Sequence, residues 1–92
     1  MNRAVWRYQV NLDGPTTIRL TGDPVAVAVD MPGDAGIEFW AEHDPSKPEV
    51  ARTFAIVGTG HPIPAGAAYV GTAPRSRYGL VWHLYELTGL PS

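Results

Sequence analysis

The chain reads as an all-β domain: about seven short, mostly antiparallel strands in a small sandwich or barrel, with at most one short helical turn. Two observations predict this. Apolar residues recur at every second position through most of the sequence, which is the period of a half-buried strand rather than of a helix. Nine prolines and ten glycines cut the 92 residues into pieces of strand length, at the spacing of a sandwich or barrel. The length corresponds to one domain, residues 1–92.

Each element has its own signal. Trp6, Tyr8, Val10 and Leu12 alternate with Arg7, Gln9 and Asn11, predicting a first strand that ends at the turn Asp13-Gly14-Pro15. In residues 16–20, Ile18 and Leu20 point inward and Thr17 and Arg19 outward. Residues 25–29 are apolar on both faces, one β-branched and one small, which suits a central strand or one whose outer face packs on another subunit. A hairpin-type loop, 32–36, leads to a strand with Ile37, Phe39 and Ala41 against Glu38, Trp40 and Glu42. After a polar loop with two prolines, 43–48, comes a strand at 51–57 dominated by Phe54 and Ile56. A single turn is allowed at 62–68, followed by a short strand from Tyr69 and Val70 and an arginine-bearing turn at 73–79. The last strand, 80–87, carries Trp82 and Leu84 on one face and Val81, His83 and Tyr85 on the other. Trp6 and Trp82 fit inward faces and are assigned to the core. The tripeptide Val57-Gly58-Thr59 returns as Val70-Gly71-Thr72 at the end of the next strand, which we read as shared turn chemistry.

Composition narrows the function classes. A net charge of −2 gives no strong pull toward nucleic acid or an anionic membrane. Without cysteine there is neither a disulfide nor thiolate chemistry. No apolar run is long enough to cross a bilayer, and the first residues lack the layout of a signal peptide, so the expected location is the cytoplasm. Charged residues are 17 % of the chain against about 25 % in an average domain, although a small domain has the most surface per residue. With three Trp and four Tyr, residues favoured at interfaces, this predicts a homo-oligomer.

The most informative stretch is Ile56-Val57-Gly58-Thr59-Gly60-His61-Pro62-Ile63-Pro64. Glycines permit close backbone approach, successive N–H groups can form a concave anion nest, and Thr59 and His61 add side-chain donors. Arg75 and Arg77 lie in the later turn, and guanidinium forks suit phosphate. Whether they meet His61 depends on strand order: in a simple meander the two turns fall at opposite ends. Trp40, between Glu38 and Glu42, and Tyr78, in the arginine turn, are the aromatics expected to be exposed for stacking on a base.

Trp6-Arg7-Tyr8, Val57-Gly58-Thr59-Gly60-His61-Pro62-Ile63-Pro64, Tyr69-Val70-Gly71-Thr72 and Val81-Trp82-His83 together resemble a family of small accessory proteins of bacteriophages and prophages. The similarity runs over almost the whole chain, with the Gly-Thr-Gly-His-Pro core its most specific part. The resemblance implies a phage-type accessory protein acting in the host cell and transfers no catalytic residue. Where such proteins often carry an acidic pair after the second proline, this chain has Ala65-Gly66.

The expectation is therefore a non-enzymatic protein without cofactor or metal. It captures a small phosphorylated or nucleotide-type ligand, as a sponge for a host immune signal. Its site comprises Gly58, Thr59, Gly60, His61, Arg75 and Arg77, with Trp40 or Tyr78 stacking. The alternative is a protein-interaction module, built on Trp40 and residues 25–29, that blocks a host protein or serves as a small virion component. A hydrolase using His61 with Asp44 or Glu42 is a third reading. His43, His61 and His83 have no local metal-ligand spacing.

Overall fold

In a computed structural model, which describes residues 2–29, 36–75 and 79–88, the sequence forms seven strands and no helix among the described residues. They are β1 (Ala4–Asn11), β2 (Thr16–Leu20), β3 (Pro24–Val29), β4 (Gly36–His43), β5 (Val50–Gly58), β6 (Ala67–Thr72) and β7 (Trp82–Leu87). One sheet has the order β1-β4-β3 and the other β2-β5-β7-β6, with every pairing antiparallel. Of the two architectures left open by the sequence, the structure is the sandwich. The single turn allowed at 62–68 is a β-turn, closed by the Ala67 N–H donating to the Pro64 carbonyl at 3.2 Å. The loop expected at 32–36 falls, apart from Gly36, outside the described residues.

The core sits where the alternating residues of the two sheets meet. Val10, Leu20, Ile37, Phe39, Ala41, Phe54 and Leu84 are buried in one cluster, with Tyr8, Ile18, Val27, Ile56, Val70 and Trp82 packed against it. Phe39 of β4 meets Phe54 of β5 across the two sheets, ring centroids 5.0 Å apart, and Tyr8 stacks on Phe39 at 5.3 Å. Such pairs add about 0.5–1.5 kcal/mol to the burial itself.

Two placements correct the sequence reading. Residues 25–29 do not form a central strand: β3 is an edge strand that pairs only with β4 in its sheet, and Val25 is 65 % exposed. Small and β-branched residues on both faces describe an edge as well as a centre, because neither face of a peripheral strand is deeply covered. Trp6 has the expected inward parity but is not core. Burial along β1 falls away from Val10 (1 % exposed) through half-buried Tyr8 to Trp6 (47 %). The ring stacks instead on His43 of β4, centroids 3.8 Å apart and planes 9° off parallel.

At the end of the sandwich where β5 begins, Arg52 ties three elements together. Its guanidinium donates to both Glu86 carboxylate oxygens of β7 (2.9 and 2.7 Å) and to Asp23 in the β2–β3 connection (2.8 Å). The hydrogen bond to Glu86 leads the causes that hold Arg52 charged well above its ordinary pKa. A two-oxygen, fork-type contact of this kind is the strong form of ion pair. Both partners are about one-fifth exposed, so this pair is far better shielded than Arg3–Glu42 or Arg19–Glu49.

Truncating Phe54 to Ala is expected to remove about 3–5 kcal/mol of a total stability of order 5–15 kcal/mol. Arg52→Met, which keeps the stem but strands Glu86, should cost about 1.5–3 kcal/mol, the range of a charged hydrogen bond. Urea unfolding of both variants measures this. An Arg52→Met change within error of zero would mean that the pair contributes nothing.

Candidate functional site

The strand order answers the question on which the site depends. Gly58, the last residue of β5, pairs with Trp82, and Thr72, the last of β6, pairs with His83. Because β7 lies between β5 and β6 and is antiparallel to both, those two strands run in the same direction and finish at the same end. The connection 59–66 returns the chain over the full length of the sheet. Its far end is fixed by Thr88, whose amide and hydroxyl both donate to the Gly66 carbonyl.

At the shared end, residues 58–61 form a β-turn closed by the His61 N–H donating to the Gly58 carbonyl at 3.0 Å. Gly60, third in the turn, has φ +87°, the left-handed value that a side chain disfavours. Gly58 is required for a different reason. A Cβ there would stand 3.0 Å from His61 Nδ1 and 3.1 Å from Trp82 Cζ3, so the imidazole and the indole close over the space that glycine leaves. On the other side, Ala73 N–H donates to Trp82 O at 3.0 Å, and the Arg75 guanidinium donates to the Gly79 carbonyl at 3.0 Å. Between the two turns lies a cleft of about 300 Å³ lined by Gly58, Thr59, His61, Arg75, Gly79, Leu80, Val81 and Trp82. None of these described residues is acidic, and one is a guanidinium. The Trp82 indole N–H at its wall is buried and has no hydrogen-bond partner among the described residues, an arrangement that costs about 1–3 kcal/mol.

Of the residues named from sequence, Gly58, Thr59, His61 and Arg75 come together in this cleft, and Gly60 completes the turn. Arg77 and Tyr78 lie outside the described residues. Trp40 does not join them. It is half-buried on the outer face of β4, between Arg7 and Ala26, in the other sheet. Among the described residues, the large aromatics that are exposed are Trp6 and Tyr69, at 47 % and 59 %. The carboxylates considered for His61 have other partners. Glu42 bonds Arg3, and Asp44 is held by Ser46, whose hydroxyl and amide keep its carboxyl below the usual carboxylate range.

Residues 1–91 match the family described as "Domain of unknown function (DUF7352)". The chain belongs to that family. No curated protein and no solved structure matches it.

What this DUF7352 chain holds that the sequence reading passed over is a relay centred on His83. The Thr59 hydroxyl lies 3.4 Å from the Val81 carbonyl oxygen and 2.9 Å from His83 Nε2. On the other side of the ring the Thr72 hydroxyl is hydrogen-bonded to His83 Nδ1 at 2.9 Å and to the Tyr69 hydroxyl at 2.5 Å. Both imidazole nitrogens are thus engaged, and the four side chains form one continuous hydrogen-bonded chain. The signal was present in the sequence: the repeated Val-Gly-Thr tripeptides end the two strands that flank β7, and their threonines hold opposite nitrogens of one imidazole.

His83→Phe, Thr59→Val and Thr72→Val are each expected to cost about 0.5–1.5 kcal/mol in urea unfolding. Combining either threonine change with His83→Phe should add less than the sum, since both remove the same bond. Strict additivity would show that the relay does not operate.

Proposed function

We propose that this protein is a non-enzymatic binder of a small phosphorylated ligand of nucleotide type, held in the cleft between the Gly58–His61 turn and Arg75. One observation carries the reading: two turns 14 positions apart or more in sequence converge on one basic, acid-free cleft. A phosphate seated there meets a guanidinium, an imidazole and the end of a strand where Thr59 and Gly60 lie past the last paired residue, Gly58.

In the setting that the sequence resemblance implies, such a protein acts in the host cytoplasm as a sponge that withdraws a nucleotide-derived immune signal. Exposed Val5, Trp6, Val25 and Leu80 support a homo-oligomer that offers several clefts. A second reading rests on β3. An edge strand with Val25 65 % exposed offers an apolar surface for contact with a partner protein, as a host-protein inhibitor or a small virion component requires.

Calorimetric titration with inorganic phosphate, nucleotides and cyclic dinucleotides, alongside native mass spectrometry, tests the first reading. Binding is expected, and Arg75→Ala should weaken it roughly 10- to 100-fold, the equivalent of one charged hydrogen bond. No heat and no change in melting temperature with any of these probes would sink it, and a stoichiometric protein partner would favour the second reading.

A further inference from the structure

A second hollow, of about 190 Å³, lies on the other side of the Gly58–His61 turn. Gly58, Thr59 and His61 line both hollows, so the partition between them is one turn of backbone. The second hollow has a different chemistry. Val57, Ile63 and Tyr85 supply apolar walls, and no Arg, Lys, Asp or Glu lines it. Tyr85 is braced by Tyr69, edge-on at 5.6 Å and 71°. The His83 ring beside it has both nitrogens engaged by threonines, so its polar edge is occupied and its planar face is what it offers to the hollow. Ile63 stands 54 % exposed between two prolines, and the connection that bears it is anchored at Gly66. It is therefore a fixed apolar wall facing solvent.

We propose that this hollow is a subsite for the planar heteroaromatic ring of the ligand whose phosphate occupies the first cleft. The ligand lies astride the Gly58–His61 turn, with phosphate toward Arg75 and ring among Ile63, Tyr85 and His83. The proposal rests on the reading of the first cleft as a phosphate site and adds selectivity to it. Aromatic and imidazole faces accept any planar base by stacking, while the cationic side accepts any phosphate. Only a molecule that joins the two over a short linker fills both. The stacking surface thus comes from β7 and the 59–66 connection, not from Trp40.

The test is calorimetric titration of inorganic phosphate and of the four nucleoside 5′-monophosphates. At least one nucleotide should bind tenfold or more tightly than inorganic phosphate. Ile63→Ser, at an exposed position that does not threaten the fold, and Tyr85→Leu should each abolish that margin while leaving the affinity for inorganic phosphate unchanged. Arg75→Ala should lower both affinities by the same factor. If every nucleotide binds no better than inorganic phosphate, or if Ile63→Ser weakens phosphate and nucleotide alike, the ring subsite is overturned while the phosphate cleft stands. If the unmodified protein binds neither probe, the cleft reading falls and the subsite with it.

Discussion

Because β7 bonds to β5 along one edge and to β6 along the other, everything at the candidate site follows from where that last strand goes. Had β6 paired directly with β5, the two turns would sit at opposite ends of the sheet. With β7 inserted, the ends of β5 and β6 are brought level, and their threonines reach the same imidazole from two sides. Alternation then divides the work of β7. Leu84 enters the core and Glu86 receives Arg52 on the inner side, while His83 and Tyr85 present the outer surface.

The two ends of the sheet are built differently. Where β5 begins, Arg52 joins β7 through a well-shielded ionic contact with Glu86 and the β2–β3 connection through an exposed one with Asp23. Where β5 ends, the contacts are hydroxyl–imidazole bonds and a ring folded over a glycine. These are weaker, and they surround open space. Among the described residues, Arg75 is hydrogen-bonded to the Gly79 carbonyl of its own turn, and a guanidinium has further N–H donors that suit an anion.

The strands were legible in the sequence because period-two alternation reports which residues share a face, and proline and glycine report where a run must stop. All seven strands lie where that reasoning put them, with ends shifted by a few residues. Alternation does not report which strand is the neighbour of which. That ignorance explains the misplaced residues. Trp6 has core parity but lies in the exposed first half of β1. Of the two readings of residues 25–29, a central strand or one packed on another subunit, the first gives way to an edge strand, and Trp40 belongs to the sheet away from the cleft. The convergence of His61 with Arg75, and the meaning of the repeated Val-Gly-Thr, depend on β7 coming to lie between strands that precede it by ten residues or more, which no local pattern encodes. His83 was visible only as one of three scattered histidines until β5 and β6 were placed on either side of it.

The irregularities of the bordering strands also bear on how the chain behaves when crowded with copies of itself. A sheet margin offers unpaired amide and carbonyl groups to any passing strand and is the usual starting point of aggregation. β3 opens on a proline and slips register between Pro24 and Ala26, and β6 slips between Tyr69 and Gly71. Each slip breaks the straight ladder that an incoming strand needs. β2 is five residues long and carries Arg19 on its outward face. β1 shares the charge, in Arg7, but is neither short nor irregular: its eight residues run in unbroken register with β4. The sandwich is thus sealed along three margins, and its solubility at high concentration is decided by the fourth.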